Sequence, residues 1–146
     1  MRGAYSMTST VKMESAALMD RYYDRRALSS ISKAPFFHFT KVVWGKGFIV
    51  YDENGKPVVQ DIPTTVTDIE GEFHRNDPVL TYTNGAITLR ATIAVGELST
   101  DVNEEFSALY ALDDEDQVIA AFAVQPIWMN ARRSLAVEGV LEIGRN

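Results

Sequence analysis

Hydrophobic and polar positions change their rhythm at Pro35. Between Ser9 and Ser32 there is no Gly or Pro, and Val11, Leu18, Met19, Tyr22, Ala27, Leu28 and Ile31 recur at spacings near three, four and seven. Asp20, Arg21, Asp24, Arg25 and Arg26 fill the gaps. Residues three and four apart share a helix face, so the pattern predicts an amphipathic helix, or two short helices broken near Ser29-Ser30. Ser9 or Thr10 is the expected cap. Pro35 forbids continuation and pushes Ala34 toward extended geometry.

After Pro35 the pattern is one of strands and turns. Phe36 to Trp44 is rich in aromatic and β-branched residues, with Phe37, Phe39, Lys41 and Val43 on one face and Phe36, His38, Thr40, Val42 and Trp44 on the other. Gly45-Lys46-Gly47 breaks it, and Phe48 to Tyr51 and Pro57 to Ile62 flank a turn at Asp52-Glu53-Asn54-Gly55. Asn-Gly there suits the positive φ angles of a type I′ hairpin turn. Residues 63–78 are mostly polar, and His74-Arg75-Asn76-Asp77-Pro78 reads as loop. Val79 to Thr83, Asn84-Gly85 and Ala86 to Val95 form a predicted hairpin. Its second strand alternates strictly, with Ile87, Leu89, Ala91, Ile93 and Val95 facing one way. Phe106 to Leu112 is a further strand, followed by the acidic turn 113–116. Val118 to Val124 is apolar on both faces, as a central strand covered on each side would be, and Pro126 is expected to end it. Leu135 to Ile143 is the last strand, with a bulge expected at Gly139.

The expected fold is α+β, mainly β: an N-terminal helix and then an antiparallel sheet or sandwich of seven to eight strands. The expected organisation is a helical segment over 1–34 and a β-rich domain over 35–146, in one compact unit. A chain of 146 residues accommodates one domain of ordinary size. Fourteen Lys and Arg against twenty Asp and Glu leave a net charge of −6, which argues against nucleic acid or anionic membrane as partner. There is no Cys, which removes disulfides, thiolate metal sites and Cys nucleophiles. The N-terminal stretch has no apolar core of a signal peptide, and no run of about 18 apolar residues suggests a membrane span.

Little in the chain points to catalysis. His38 sits in an apolar strand and reads as structural; His74 sits beside Arg75 and reads as solvated. Neither has a partner at metal-ligand spacing. The acidic turn lacks the Gly and distal Glu of a calcium loop and reads as a solvated connection. Ser29, Ser30 and Ser32 lack a nucleophile elbow, and Gly45-Lys46-Gly47 lacks the rest of a phosphate cradle. Glu104 and Glu105 are neighbours on a strand and point to opposite faces. No enzyme, cofactor or metal is expected. Trp44, Trp128, Tyr51 and Tyr82 would make a sugar-stacking surface if exposed, although large aromatics more often fill a core or an interface. Arg21, Arg25 and Arg26 form a basic patch in an acidic protein, suited to an acidic patch on another subunit.

Residues 82–93 (YTNGAITLRATI) resemble a segment of the phage tail-collar fibre protein family, in which a Tyr and a Gly precede a strand containing Arg-Ala. Asn103-Glu104-Glu105-Phe106 with Ala108-Leu109-Tyr110, the run Asp113 to Ala121, and Phe39-Thr40-Lys41-Val42 with Gly45-Lys46-Gly47 resemble three further segments of that family, in the same order. Ala108 stands where the family has Gly. The resemblance spans about residues 36 to 143. It implies a virion structural protein of the tail or baseplate, made in the host bacterial cytoplasm. Its partners would be itself, with a trimer as the first expectation, and baseplate or tail fibre proteins. The chain stops at Asn146 without shaft repeats, which in this reading makes it an adaptor or collar component. The residues expected at its interfaces are Arg21, Arg25, Arg26, Trp44, Trp128, Arg132 and Arg133. The rival expectation is a small β-sandwich carbohydrate-binding module using Trp44, Trp128 and Tyr51.

Overall fold

The computed structural model describes residues 10–99 and 101–143. Eleven strands and one helix follow in the order β1 (Thr10–Lys12), β2 (Ser15–Leu18), α1 (Asp20–Ser30), β3 (Phe39–Lys46), β4 (Ile49–Tyr51), β5 (Pro57–Val59), β6 (Glu70–Asn76), β7 (Val79–Thr83), β8 (Ala86–Ile93), β9 (Glu104–Asp113), β10 (Val118–Met129) and β11 (Leu135–Glu142). They form a four-stranded sheet, β1-β11-β8-β7, and a five-stranded sheet, β2-β10-β9-β3-β6. A ribbon, β4-β5, pairs with neither sheet. Every pairing is antiparallel except β1 with β11.

The two sheets share one core. Trp44 and Val42 of β3, Phe106 and Leu109 of β9, and Phe122 of β10 meet Leu89, Ala91 and Ile93 of β8 and Val137 and Leu141 of β11. The five-stranded sheet has a second apolar face. Val43, Ala108, Tyr110, Leu112, Val118 and Ala121 lie there under Ile62, Phe48, Val59, Val66 and Ile69. β10 is therefore buried on both sides from Val118 to Val124, as its unbroken apolar run predicts.

The long N-terminal helix does not exist in this form. Residues 10–12 run beside Ala136–Glu138, residues 15–18 pair with Ala120–Ala123, and the helix is confined to Asp20–Ser30. Helix propensity is a weak prior, and pairing with two long strands outweighs it. The expected caps Ser9 and Thr10 fall aside: Ser9 lies outside the described residues and Thr10 is in β1. The strand count rises from seven or eight to eleven because β1 and β2 replace helix and because β6 replaces the loop expected at 74–76. The segment before Pro35 thus supplies a strand to each sheet as well as the helix.

Four local expectations are also corrected. Pro126 does not end β10; the strand passes through it with a register shift between Ala123 and Ile127, and a bulge is where a residue without an amide hydrogen is tolerated. Gly139 marks no bulge, since β11 keeps continuous register with β8. A Cβ at 139 would stand 2.3 Å from Cδ2 of Phe122, so glycine makes room for that ring. The turn at Asn54-Gly55 has positive φ at Gly55 alone, so it is not type I′. Instead the Asp52 carboxylate accepts the amides of Asn54 and Lys56. Finally, a register shift between Phe39 and Val42 breaks the alternation of β3, and Phe39 joins the same core as Val42 and Trp44. The β7–β8 hairpin matches its expectation, with φ of 49° at Asn84 and 84° at Gly85.

Candidate functional site

Helix α1 lies across the end of the β9–β10 hairpin, because Met19 and Tyr22 bury their side chains there. This brings Arg21 and Arg25 over the acidic turn. Arg21 Nε donates to Asp113 Oδ2 at 2.6 Å, and Arg25 donates to Asp113 Oδ2 at 2.9 Å and to Asp114 Oδ1 at 2.7 Å. Arg21 also pairs with Glu115. The Asp113 side chain is fully buried and accepts the amides of Glu115 and Gln117 as well. Burial pushes its carboxyl up, but these donors outweigh burial and hold it below the ordinary carboxylate value. Asp113 is therefore the buried anchor of an ionic clasp, while Asp114, Glu115 and Asp116 stay exposed as a solvated connection would leave them. The acidic patch that suits Arg21 and Arg25 belongs to their own chain, and guanidinium groups hold the oxygens that a surface cation would need.

Arg26 points elsewhere. Its guanidinium carbon lies 5.7 Å from the Tyr22 ring centroid and 5.4 Å from that of Tyr23. Beside it is a cleft of about 490 Å³ lined by Tyr22, Arg26, Phe36, Phe37, Phe39 and Leu80, among others. Phe36 is 86% exposed at its rim. The cleft lies where the start of β3, the end of α1 and the edge strand β7 meet, and sequence spacing could not bring these three segments together.

Trp44 is not a surface residue. It is wholly buried, packs on Phe106 with ring centroids 4.9 Å apart, and donates from Nε1 to Asn76 Oδ1 at 2.8 Å. It can neither stack on a sugar nor touch a partner, so the sugar-stacking set loses its first member. Trp128, Tyr51 and Tyr82 are exposed. Trp128 is paired with Glu105 near the end of β10, and from the loop that follows Arg133 donates to the Trp128 carbonyl and Arg132 faces Asp101 at 3.6 Å.

The two histidines exchange their expected places. His38 is exposed before β3 begins, while His74 is partly covered and its Nε2 lies 2.6 Å from Glu97 Oε2. Asn76 donates to the same oxygen, and the Ala94 amide donates to the other. Burial pushes the Glu97 carboxyl up, but these donors prevail and hold it below its ordinary value. The network ties β6 to the turn after β8, and Trp44 continues it through Asn76. Among the described residues no group of three or more His, Asp or Glu could hold a metal ion. No helix among them is long and apolar enough to cross a membrane.

The arrangement offers edges, an apolar cleft and an aromatic loop, all suited to protein contacts. A family model described as bacteriophage P1 tail fiber protein R matches residues 2–137, which takes in every described strand up to Val137. The tail fiber protein R of Escherichia phage P1 is 33% identical over 111 residues, 74% of this chain and 77% of that protein. No solved structure matches. The family match takes in strands of both sheets and the clasp that joins the helix to them, and the chain belongs to the bacteriophage P1 tail fiber protein R family.

Proposed function

We propose that this chain is a structural component of a phage tail that joins a tail fibre to the baseplate or collar, working as an oligomer of identical copies. The observation that carries this reading is the family match over residues 2–137. The fold supports it physically. A sandwich with two apolar layers is stiff, and a joint that transmits force between fibre and particle needs a stiff body. The surface keeps large apolar groups exposed at several places, including Phe36, Val79, Tyr82, Val102 and Trp128. Exposed strand edges and aromatic side chains are the common material of protein interfaces. The Trp128–Arg133 loop would serve as one contact and the open edge β7 as another.

The test is composition and mass. Purified particles are analysed for the chain by mass spectrometry and by gold labelling in electron micrographs, and the isolated protein is weighed in solution. The chain is expected in the particle at a fixed position near the fibre attachment point, and as an oligomer at high concentration. A strict monomer that is absent from particles overturns the proposal.

A further inference from the structure

The four outer strands of the two sheets differ in how they are closed. β1 has three residues and carries Lys12, which pairs with Glu138 at 2.9 Å. β6 carries Glu70, Glu72, His74 and Arg75, and Gly71 has φ of 65° where the register with β3 slips. β2 is four residues long, and Ser15 Oγ donates to the Gln60 carbonyl of the covering segment. Charges, slips and covers of this kind stop an edge from pairing with another chain. β7 has none of them. Val79-Leu80-Thr81-Tyr82-Thr83 is uncharged and regular in register with β8, and Val79 and Tyr82 are each 64% exposed.

We infer that β7 is the pairing edge for a second copy of this chain, antiparallel and centred on Thr81, with Tyr82 of each copy seated in the aromatic cleft of the other. The inference rests on the assembly reading above and names the partner of one edge. The hairpin fixes which backbone groups are free. In a two-residue hairpin the residues flanking the turn exchange hydrogen bonds, so Thr83 and Thr81 bond to β8, while the amides and carbonyls of Leu80 and Tyr82 point outward. Centring the pair on Thr81 sets Leu80 against Tyr82 of the second copy, and Tyr82 against its Leu80. Both are outward-bonding positions, so each pair exchanges two N–H···O=C bonds. Both side chains also lie on the core side of their sheet, since Leu80 is opposite Leu89 and Tyr82 opposite Ile87. Polarity and facing therefore agree at this register, which also pairs all five residues of β7.

The cleft explains why the edge favours this occupant. Leu80, Phe36, Phe37, Phe39 and Tyr22 line it, and Arg26 stands at one wall. A tyrosine ring entering beside Leu80 finds aromatic edges and a guanidinium, both favourable to its π face. Charge also points to β7. Two copies at −6 each repel, and the approach costs least along a strand with no charge of its own. Tyr82 and Phe36 can each bury only the part still exposed of the ~150–250 Å² that a large aromatic offers. With Val79 the total per copy stays below the ~800 Å² of a standard stable interface. The pairing is accordingly weak in dilute solution and strengthened by the local concentration inside a particle.

The absence of Cys makes a clean test possible. In the paired register Thr81 faces its own copy at a non-hydrogen-bonded position, with Cα atoms ~4.5 Å apart. That separation is within disulfide reach. Under mild oxidation at high concentration, the Thr81→Cys chain should run as a dimer on a non-reducing gel. Thr83→Cys, two residues along the same strand and exposed, should stay monomeric. Thr81→Lys, which sets two ammonium groups face to face, should abolish concentration-dependent sedimentation of the otherwise unaltered protein, with circular dichroism unchanged. Equal cross-linking of both cysteine variants, or cross-linking of neither, overturns the edge pairing. Particles that contain the chain but give no Thr81→Cys cross-link overturn it while leaving the joint role intact. A specific cross-link in a chain that particles lack overturns the joint role instead.

Discussion

In β9 every side chain from Phe106 to Leu112 is buried, whereas in β8, on the facing sheet, burial alternates from Leu89 to Ile93. Both strands are central in their sheets. They differ in how many faces are covered. β8 has the core on one side, so Arg90 and Thr92 remain exposed. β9 has the core on one side and the layer of Phe48, Ile62, Val66 and Ile69 on the other. Ser107 and Asp113 are the only polar or charged side chains classed as buried among the described residues, and both lie on β9 with hydrogen-bond partners. A doubly covered strand tolerates a polar group only where a partner is built for it.

Substitutions sharpen this contrast. The largest effect is expected at Trp44, which joins the inner face of the five-stranded sheet to the core. Trp44→Ala leaves a cavity and an unpartnered Asn76 oxygen, and should cost about 3–5 kcal/mol in urea unfolding. A loss below ~1 kcal/mol would contradict its place in the core.

Asp113→Ala comes next, at about 3 kcal/mol, because it leaves two amides without their acceptor and takes the shared carboxylate from two guanidinium groups at the end of β9. The folded carboxyl titrates below its unfolded value. Its contribution is therefore full above the unfolded value, near pH 4, and is lost as pH falls through the folded one. The stability gap between the native chain and Asp113→Asn should narrow as pH falls below ~4. A gap that widens on acidification would show that the clasp is not what Asp113 supports.

Gly139→Ala forces a methyl group against the Phe122 ring and should cost about 1–3 kcal/mol. Phe122→Leu in the same chain should recover part of that loss in a double-mutant cycle, although Phe122→Leu alone destabilises. Additive losses would mean that the two sites do not meet. The smallest effect belongs to the exposed face of β8. Arg90 pairs with Glu138 at 3.1 Å with its side chain 64% exposed, so Arg90→Ala should change stability by less than ~1 kcal/mol. A larger loss there would erase the distinction between the two sheets.

The same contrast accounts for what could be read from the chain. Alternation in Ile87, Leu89, Ala91 and Ile93 has one common explanation, a half-covered strand, and the apolar run Val118–Val124 in a chain of turns has another, a doubly covered one. Thr10 to Leu18 has neither signature. Val11 and Leu18 fit a helical spacing as well as short strands, and what makes them strands is the offered edges of β11 and β10, more than a hundred residues away. β6 is similarly illegible, because an edge strand defended by charges has the composition of a loop. Among the candidate contact residues, Arg21, Arg25 and Arg26 form one basic cluster in the chain. The fold spends two of them on Asp113 and leaves Arg26 at the cleft.

The β-rich class, the β7–β8 hairpin, the doubly buried centre and the family resemblance were legible along the chain, because each of these rests on local period, turn chemistry or motif order. That Trp44 is core, that Asp113 anchors an ionic clasp, that residues 10–18 enter both sheets, and that β7 is an uncharged edge beside an aromatic cleft came from the folded arrangement. Each of those depends on which distant segment lies alongside, and pairing energy between strands far apart in the chain leaves no period in either strand alone.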